Sequence, residues 1–93
     1  MAFFMEKYFV YILKSNLGYS YIGQTSNLED RLSRHNSNRS IYTKQKGTWN
    51  LVASASVSSR SEAVQLEKRL KGFKNSEKAI DYLSKVGLEH PGL

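Results

Sequence analysis

The chain has 93 residues, enough for one small domain and too few for two full ones. Fourteen Lys and Arg (14) against 8 Asp and Glu leave a formal net charge of +6, which favours an anionic partner such as nucleic acid, an acidic membrane surface or an acidic protein. There is no cysteine, which excludes disulfides, thiolate zinc sites and a cysteine nucleophile and fits a reducing, cytoplasmic setting.

The opening "MAFFMEKYFVYILK" is interrupted by Glu6 and Lys7 and carries neither a basic leader nor a small-residue cleavage site, so no signal peptide is expected. No apolar run approaches the roughly 20 residues of a membrane helix. "YFVYILK", residues 8–14, is aromatic and β-branched, the profile of a strand buried on both faces. "SNLG" is turn chemistry, with Gly18 able to take positive φ. "YSYIGQ" reads as the returning strand of an antiparallel hairpin with a loop of about three to five residues. A symmetric three-residue loop would set Tyr11 directly opposite Tyr21; a slightly different one makes them diagonal neighbours.

"SNLEDRLSRHNSN" predicts a helix capped by Asn27, with Glu29 and Asp30 in its first turn and an exit at Asn36 or Asn38. The stretch from Ser37 to Thr48 is polar and basic and reads as a surface loop. "WNLVASASV" alternates, which places Trp49, Leu51, Ala53, Ala55 and Val57 on one face of a third strand. In "SSRSEAVQLEKRLKGFK", Ser59 and Glu62 form a capping box, and Ala63, Leu66, Leu70 and Phe73 mark an apolar helical stripe. "NSEKAIDYLSKVG" is a last helix, capped by Asn75 or Ser76 and stopped at Gly87, before a frayed tail. The order β-β-α-β-α-α describes one α+β domain over residues 1–93, core about 8–86: a small three-stranded antiparallel sheet flanked by helices.

Several residues are not explained by packing alone. Glu67 stands on or beside the apolar stripe. It either reaches water, or pairs with Lys68 or Lys71, or serves as a carboxylate ligand for a hard divalent cation. Arg31 and His35, four apart on one helix face, are either a snorkelling arginine with a hydrogen-bonded histidine or a clamp for a phosphate. Tyr11 and Tyr21 are good strand residues. A tyrosine becomes a general base only if its pKa of about 10 is lowered or its proton is handed on. Together the five would supply a base, a metal ligand and a cation for developing charge, the set that metal-assisted hydrolysis of a phosphodiester needs.

With these residues in place, the chain resembles the GIY-YIG nuclease superfamily, in particular its small stand-alone members. It is similar to the N-terminal nuclease domain of the bacterial excision-repair endonuclease subunit. The first motif stands as "VYI" (Val10, Tyr11, Ile12), with Val in place of Gly, and the second is intact as "YIG" (Tyr21, Ile22, Gly23). "QTSNLEDRLSRHN" matches the following helix and "RSEAVQLEKRLK" the helix of the metal-binding glutamate, so the likeness spans roughly residues 8–78. The resemblance implies a DNA endonuclease with one divalent metal, Mg²⁺ or Mn²⁺, on Glu67. Tyr11 would be the base toward water, Tyr21 would position water or phosphate, Arg31 would steady the phosphate, and His35 would orient Tyr11 or help its proton move. Gly23 would let the backbone run close beneath the substrate. Gln24, expected to contact a nucleic-acid phosphate, replaces a lysine of the excision-repair domain, and Asn75 lies near its asparagine without matching its spacing. With no second DNA-binding domain, contact with DNA, branched or damaged, would fall to Arg34, Arg39, Lys44 and Lys46. The protein would act as a monomer or weak homodimer in DNA repair, with an unidentified recruiting protein. The competing expectation is a non-catalytic nucleic-acid-binding or interaction module that keeps the fold.

Overall fold

The computed structural model describes residues 7–37 and 43–89. The elements run β1 (Tyr8–Ser15), β2 (Ser20–Thr25), α1 (Leu28–Asn36), β3 (Trp49–Val57), α2 (Arg60–Lys71) and α3 (Ser76–Glu89). The sheet order is β2-β1-β3, with both pairings antiparallel. This is the α+β arrangement expected from the pattern of the chain.

β1 is the central strand, and its continuous apolar run is covered on both sides. Val10 and Ile12 join Ala53, Ala55, Ala63, Leu70, Ala79 and Leu83 in a core beneath α2 and α3. Tyr11 and Leu13 point the other way and pack with Trp49, Tyr21, Leu28 and Leu32 beneath α1. Alternation along one strand thus feeds two cores.

The hairpin loop runs from Asn16 to Tyr19 and contains Gly18 at φ 91°. Ser15 Oγ accepts from the backbone N–H groups of Leu17 and Tyr19 at 3.2 and 3.1 Å, which fixes the turn. This loop sets Tyr11 opposite Gly23, and Leu13 opposite Tyr21. The two phenols are therefore diagonal neighbours on one face.

β3 departs from simple alternation. Ile12 pairs with Ala53 but Leu13 pairs with Leu51, so Val52 is an extra residue in the strand. An inserted residue reverses which face the following side chains take. Trp49 consequently lies with Tyr11 and Leu13 on the α1 side, while Ala53 and Ala55 lie on the α2/α3 side. The expected single face from Trp49 to Val57 is corrected by this bulge, which leaves Leu51 and Val52 exposed.

Helix ends follow their signals with two differences. Asn27 Oδ1 accepts from the N–H of Asp30 at 3.1 Å, and Ser59 Oγ from that of Glu62 at 3.2 Å. The Glu62 carboxylate reaches back one residue beyond the usual box, to the N–H and hydroxyl of Ser58. α3 does not stop at Gly87 but continues to Glu89. A Cβ at Gly87 would lie 2.9 Å from the Ser54 carbonyl oxygen, so this glycine lets α3 settle onto β3. Gly87→Ala gains about 1 kcal/mol of helix propensity but overpacks a contact worth about 1–3 kcal/mol. A net loss of stability is expected, read as a lower urea midpoint at unchanged m-value. Among the described residues, no helix is long and apolar enough to cross a membrane.

Candidate active site

The site grows from the diagonal pair of tyrosines. Their rings are 6.1 Å apart between centroids, and Tyr11 is 1% exposed. The Tyr11 ring lies over Gly23, where a Cβ would come within 2.6 Å of its Oη and 2.8 Å of its Cζ, and within 2.8 Å of Tyr21 Cε1. Gly23 thus makes room for both phenols. That is a different duty from letting the backbone run beneath a substrate.

α1 delivers the next group. Leu28 and Leu32 anchor the helix on the sheet, and His35, one turn past Arg31, enters the same core. Tyr11 Oη and His35 Nε2 are 3.1 Å apart, and the Tyr21 and His35 rings are 4.6 Å apart between centroids. On the far side of the imidazole, Nδ1 is 2.8 Å from Thr43 Oγ1, and the Thr43 carbonyl accepts from Trp49 Nε1 at 3.1 Å. Asn36 holds the Trp49 backbone, accepting from its N–H at 2.8 Å and donating to its carbonyl at 3.0 Å.

Thr43 and Trp49 escaped the sequence reading as members of the site. Thr43 is fully buried although its segment looked like a surface loop, and nothing in its identity signals that. Trp49 is assigned to this side only by the bulge in β3.

The electrostatics set the charge state of this pair. Burial, followed by the charge of Arg31, holds the His35 pKa below its ordinary value. The imidazole is therefore neutral, with one N–H to give. Burial, and then the neighbouring Tyr21, pushes the Tyr11 phenol well above its ordinary range, with Arg31 pulling in the opposite direction and Glu67 adding to the rise. Tyr11 keeps its proton and His35 is neutral, so of its contacts with Tyr11 Oη and Thr43 Oγ1 the imidazole donates in one and accepts in the other.

A pH prediction follows from His35. The unfolded chain takes up a proton at His35 near 6.5, whereas the folded chain does so only at lower pH. Stability is therefore greatest above this value and declines as pH falls from it through the folded pKa. His35→Gln should flatten that part of the slope, measured as urea midpoints between about pH 8 and about pH 5.

Glu67 comes from α2 on the other side of the sheet. Its side chain is 19% exposed and pairs with Lys71 at 3.2 Å, one of the two partners anticipated for it. Gln24 Nε2 donates to its other oxygen at 3.1 Å. Gln24 follows Gly23 on β2, an edge strand, so the carboxylate and the phenols stand on opposite faces of that edge. The carboxylate's charge still acts on Tyr11. Convergence on one face thus holds for Tyr11, Tyr21 and His35, and Glu67 approaches from across the edge.

The remaining candidates are more scattered. Arg34 pairs with Asp30 at 3.1 Å on the solvent side of α1. Lys44 is exposed, and Lys46 Nζ lies 5.5 Å from the centre of the exposed Tyr19 ring. Asn75 Oδ1 caps α3 by accepting from the N–H of Glu77 at 2.7 Å. Arg39 lies outside the described residues.

Among the described residues, no three His, Cys, Asp or Glu side chains group to hold a metal. Magnesium does not require such a group, since it is commonly held by one or two carboxylates with water and phosphate oxygens completing its shell. Glu67 fits that pattern. Beside it, Gln24 Oε1 is buried without a hydrogen-bond partner among the described residues, a second hard oxygen at the same place.

Comparisons with known proteins identify the family. The model of the GIY-YIG catalytic domain matches residues 7–80. A UPF0213 protein of Staphylococcus haemolyticus is 37% identical over 75 residues, covering 80% of this chain and 92% of the relative. The UPF0213 protein YsiG of Lactococcus lactis is 34% identical over 93 residues, covering 85% of this chain and 89% of the relative. The solution NMR structure of a UPF0213 protein from Bacillus halodurans superposes with a TM-score of 0.51 at 27% identity, covering 90% of this chain and 98% of that one. With the catalytic-domain match spanning most of its length, the chain belongs to the GIY-YIG family, a nuclease superfamily.

Proposed function

We propose that the protein is a divalent-metal-dependent endonuclease that hydrolyses DNA phosphodiesters, with Tyr11, Tyr21, Arg31, His35 and Glu67 as its working residues. A nuclease domain implies a nucleic-acid substrate, and the net charge of +6 suits one. The observation that carries the reading is the 3.1 Å contact from Tyr11 Oη to a neutral His35 Nε2. A phenol with a raised pKa is a poor source of phenolate. It becomes a competent base when its own proton leaves as another arrives.

Water attacks the phosphorus and gives a proton to Tyr11 Oη. Tyr11 passes its own proton to His35 Nε2, and the imidazolium is held through Nδ1–H by Thr43 Oγ1. The P–O bond to the leaving sugar oxygen breaks, and that oxygen takes a proton from solvent. Tyr21, on the same face, positions the water or the phosphate. Arg31, one turn before His35, binds the phosphate and offsets its growing charge. Bound at Glu67, Mg²⁺ or Mn²⁺ would add positive charge at the phosphate and acidify the attacking water. Arg34, Arg39, Lys44 and Lys46 would contact flanking phosphates without reading sequence. One such site per monomer nicks a single strand.

The test is cleavage of end-labelled linear, branched and single-stranded DNA with Mg²⁺, Mn²⁺ or chelator. Cleavage should require metal, weaken as salt rises, and fall on the order of 100-fold or more in Arg31→Ala, the scale for loss of one oriented charge donor. No cutting of any of these substrates, or an Arg31→Ala rate equal to wild type, would return the protein to a non-catalytic binding module.

A further inference from the structure

Gln24 is held in a way that its present contacts do not account for. Its Nε2 donates to Glu67 Oε2 at 3.1 Å, yet its Oε1 is buried and accepts no hydrogen bond from the described residues. A buried oxygen without a donor is costly. If Gln24 only steadied Glu67, the N–H alone would serve and the carbonyl oxygen would be a pure loss. The partner of the other Glu67 oxygen is replaceable, because Lys71 is 58% exposed and its ion pair is open to solvent. A carboxylate and a carboxamide a hydrogen bond apart therefore stand together, both made of hard oxygen ligands. The terminal torsion of glutamine is broad and roughly two-fold, so a half-turn exchanges Nε2 for Oε1 without moving β2.

We propose that Gln24 is the second protein ligand of the divalent cation on Glu67. This rests on reading Glu67 as the metal residue. With the amide turned over, Oε1 would face the carboxylate, and the two residues would together offer the cation hard oxygens. Lys71, exposed and weakly paired, would give up Glu67. The turned amide leaves Nε2 where Oε1 now lies, so the number of unpaired atoms is unchanged and the bonds to the cation are gained. The role differs from the phosphate contact expected for this position: Gln24 acts on the metal rather than on DNA.

The experiment is a Mn²⁺ titration of the full chain without DNA, with free Mn²⁺ followed by electron paramagnetic resonance. Wild type should bind one ion and Glu67→Gln should lose it. Gln24→Leu should bind about tenfold more weakly, the scale for losing a group at a metal. Gln24→Glu, which keeps an oxygen and removes the N–H donor, should bind several-fold more tightly. A residue that only positioned Glu67 would keep its N–H on the carboxylate, so its NH₂ resonances would hold their hydrogen-bonded position when Mg²⁺ binds. In wild type, Mg²⁺ should also shift the Gln24 side-chain NH₂ resonances as the N–H leaves Glu67. A site lost in Glu67→Gln but indifferent to both Gln24 variants overturns the proposal alone. No saturable site, or one that survives Glu67→Gln, overturns the metal reading of Glu67 and this proposal with it. Thermal melts of each variant identify any that fail to fold, and Gln24 NH₂ resonances that stay hydrogen-bonded to Glu67 with Mg²⁺ bound overturn the proposal without them.

Discussion

Glu67→Gln is expected to abolish metal-dependent DNA cleavage, by on the order of 1,000-fold or more, while the protein stays folded. The two halves of this expectation have separate causes. Activity is lost because an amide has no charge with which to hold a hard divalent cation. The fold survives because glutamine has nearly the same shape and can still accept from Gln24 Nε2. The ion pair given up with Lys71 is solvent-exposed on the lysine side and contributes about 0–1 kcal/mol. Removing the carboxylate also removes one influence that raises the Tyr11 pKa, so the phenol itself is not impaired by the change. The measurement pairs the rate of nicking with the melting temperature. Equal residual cleavage in wild type and variant, at equal melting temperature, would defeat the metal assignment.

Gly23→Ala carries the second large effect, and it acts on geometry instead of charge. The added Cβ would meet the Oη and Cζ of Tyr11 at 2.6 and 2.8 Å and Cε1 of Tyr21 at 2.8 Å. Such contacts are cheap when a flexible side chain can swing aside. Tyr11 cannot, because it is buried on the central strand and hydrogen-bonded to His35. Either the strand shifts or the phenol leaves the imidazole. Overpacking of this kind costs about 1–3 kcal/mol. A displacement near 1 Å at the reacting groups can cost about 100-fold in rate. We expect a lower melting temperature together with at least a tenfold loss of cleavage, at unchanged helix content by circular dichroism. Cleavage and melting temperature both equal to wild type would mean that Gly23 is not needed for the phenol pair.

Much of the fold was legible because its signals are local. The apolar run of β1, the turn residues of the hairpin, the caps at Asn27 and Ser59 and the stripe from Ala63 to Phe73 each encode their own element. The candidate site was legible as a set of residue types: Tyr11, Tyr21, Arg31, His35 and Glu67 do not need their neighbours to declare what chemistry they could do. Their sequence spacing also set Arg31 and His35 on one helix face.

Tertiary structure decided the rest, for reasons that distance along the chain conceals. The extra residue at Val52 turns Trp49 from one core to the other, and a bulge is a property of paired strands. Gly87 reads as a helix stop until β3 is seen beneath it, where it is the point of closest approach. Thr43 is an ordinary polar residue until α1 and β3 enclose it, after which its hydroxyl holds Nδ1 of His35. The same burial raises one pKa and lowers the other, and so sets a proton-keeping phenol against a neutral imidazole. The sequence by itself determined which elements form and which chemical groups are available. Only the packed structure decided which face each group takes and which proton each one holds, because face and protonation depend on strand pairing and the exclusion of water.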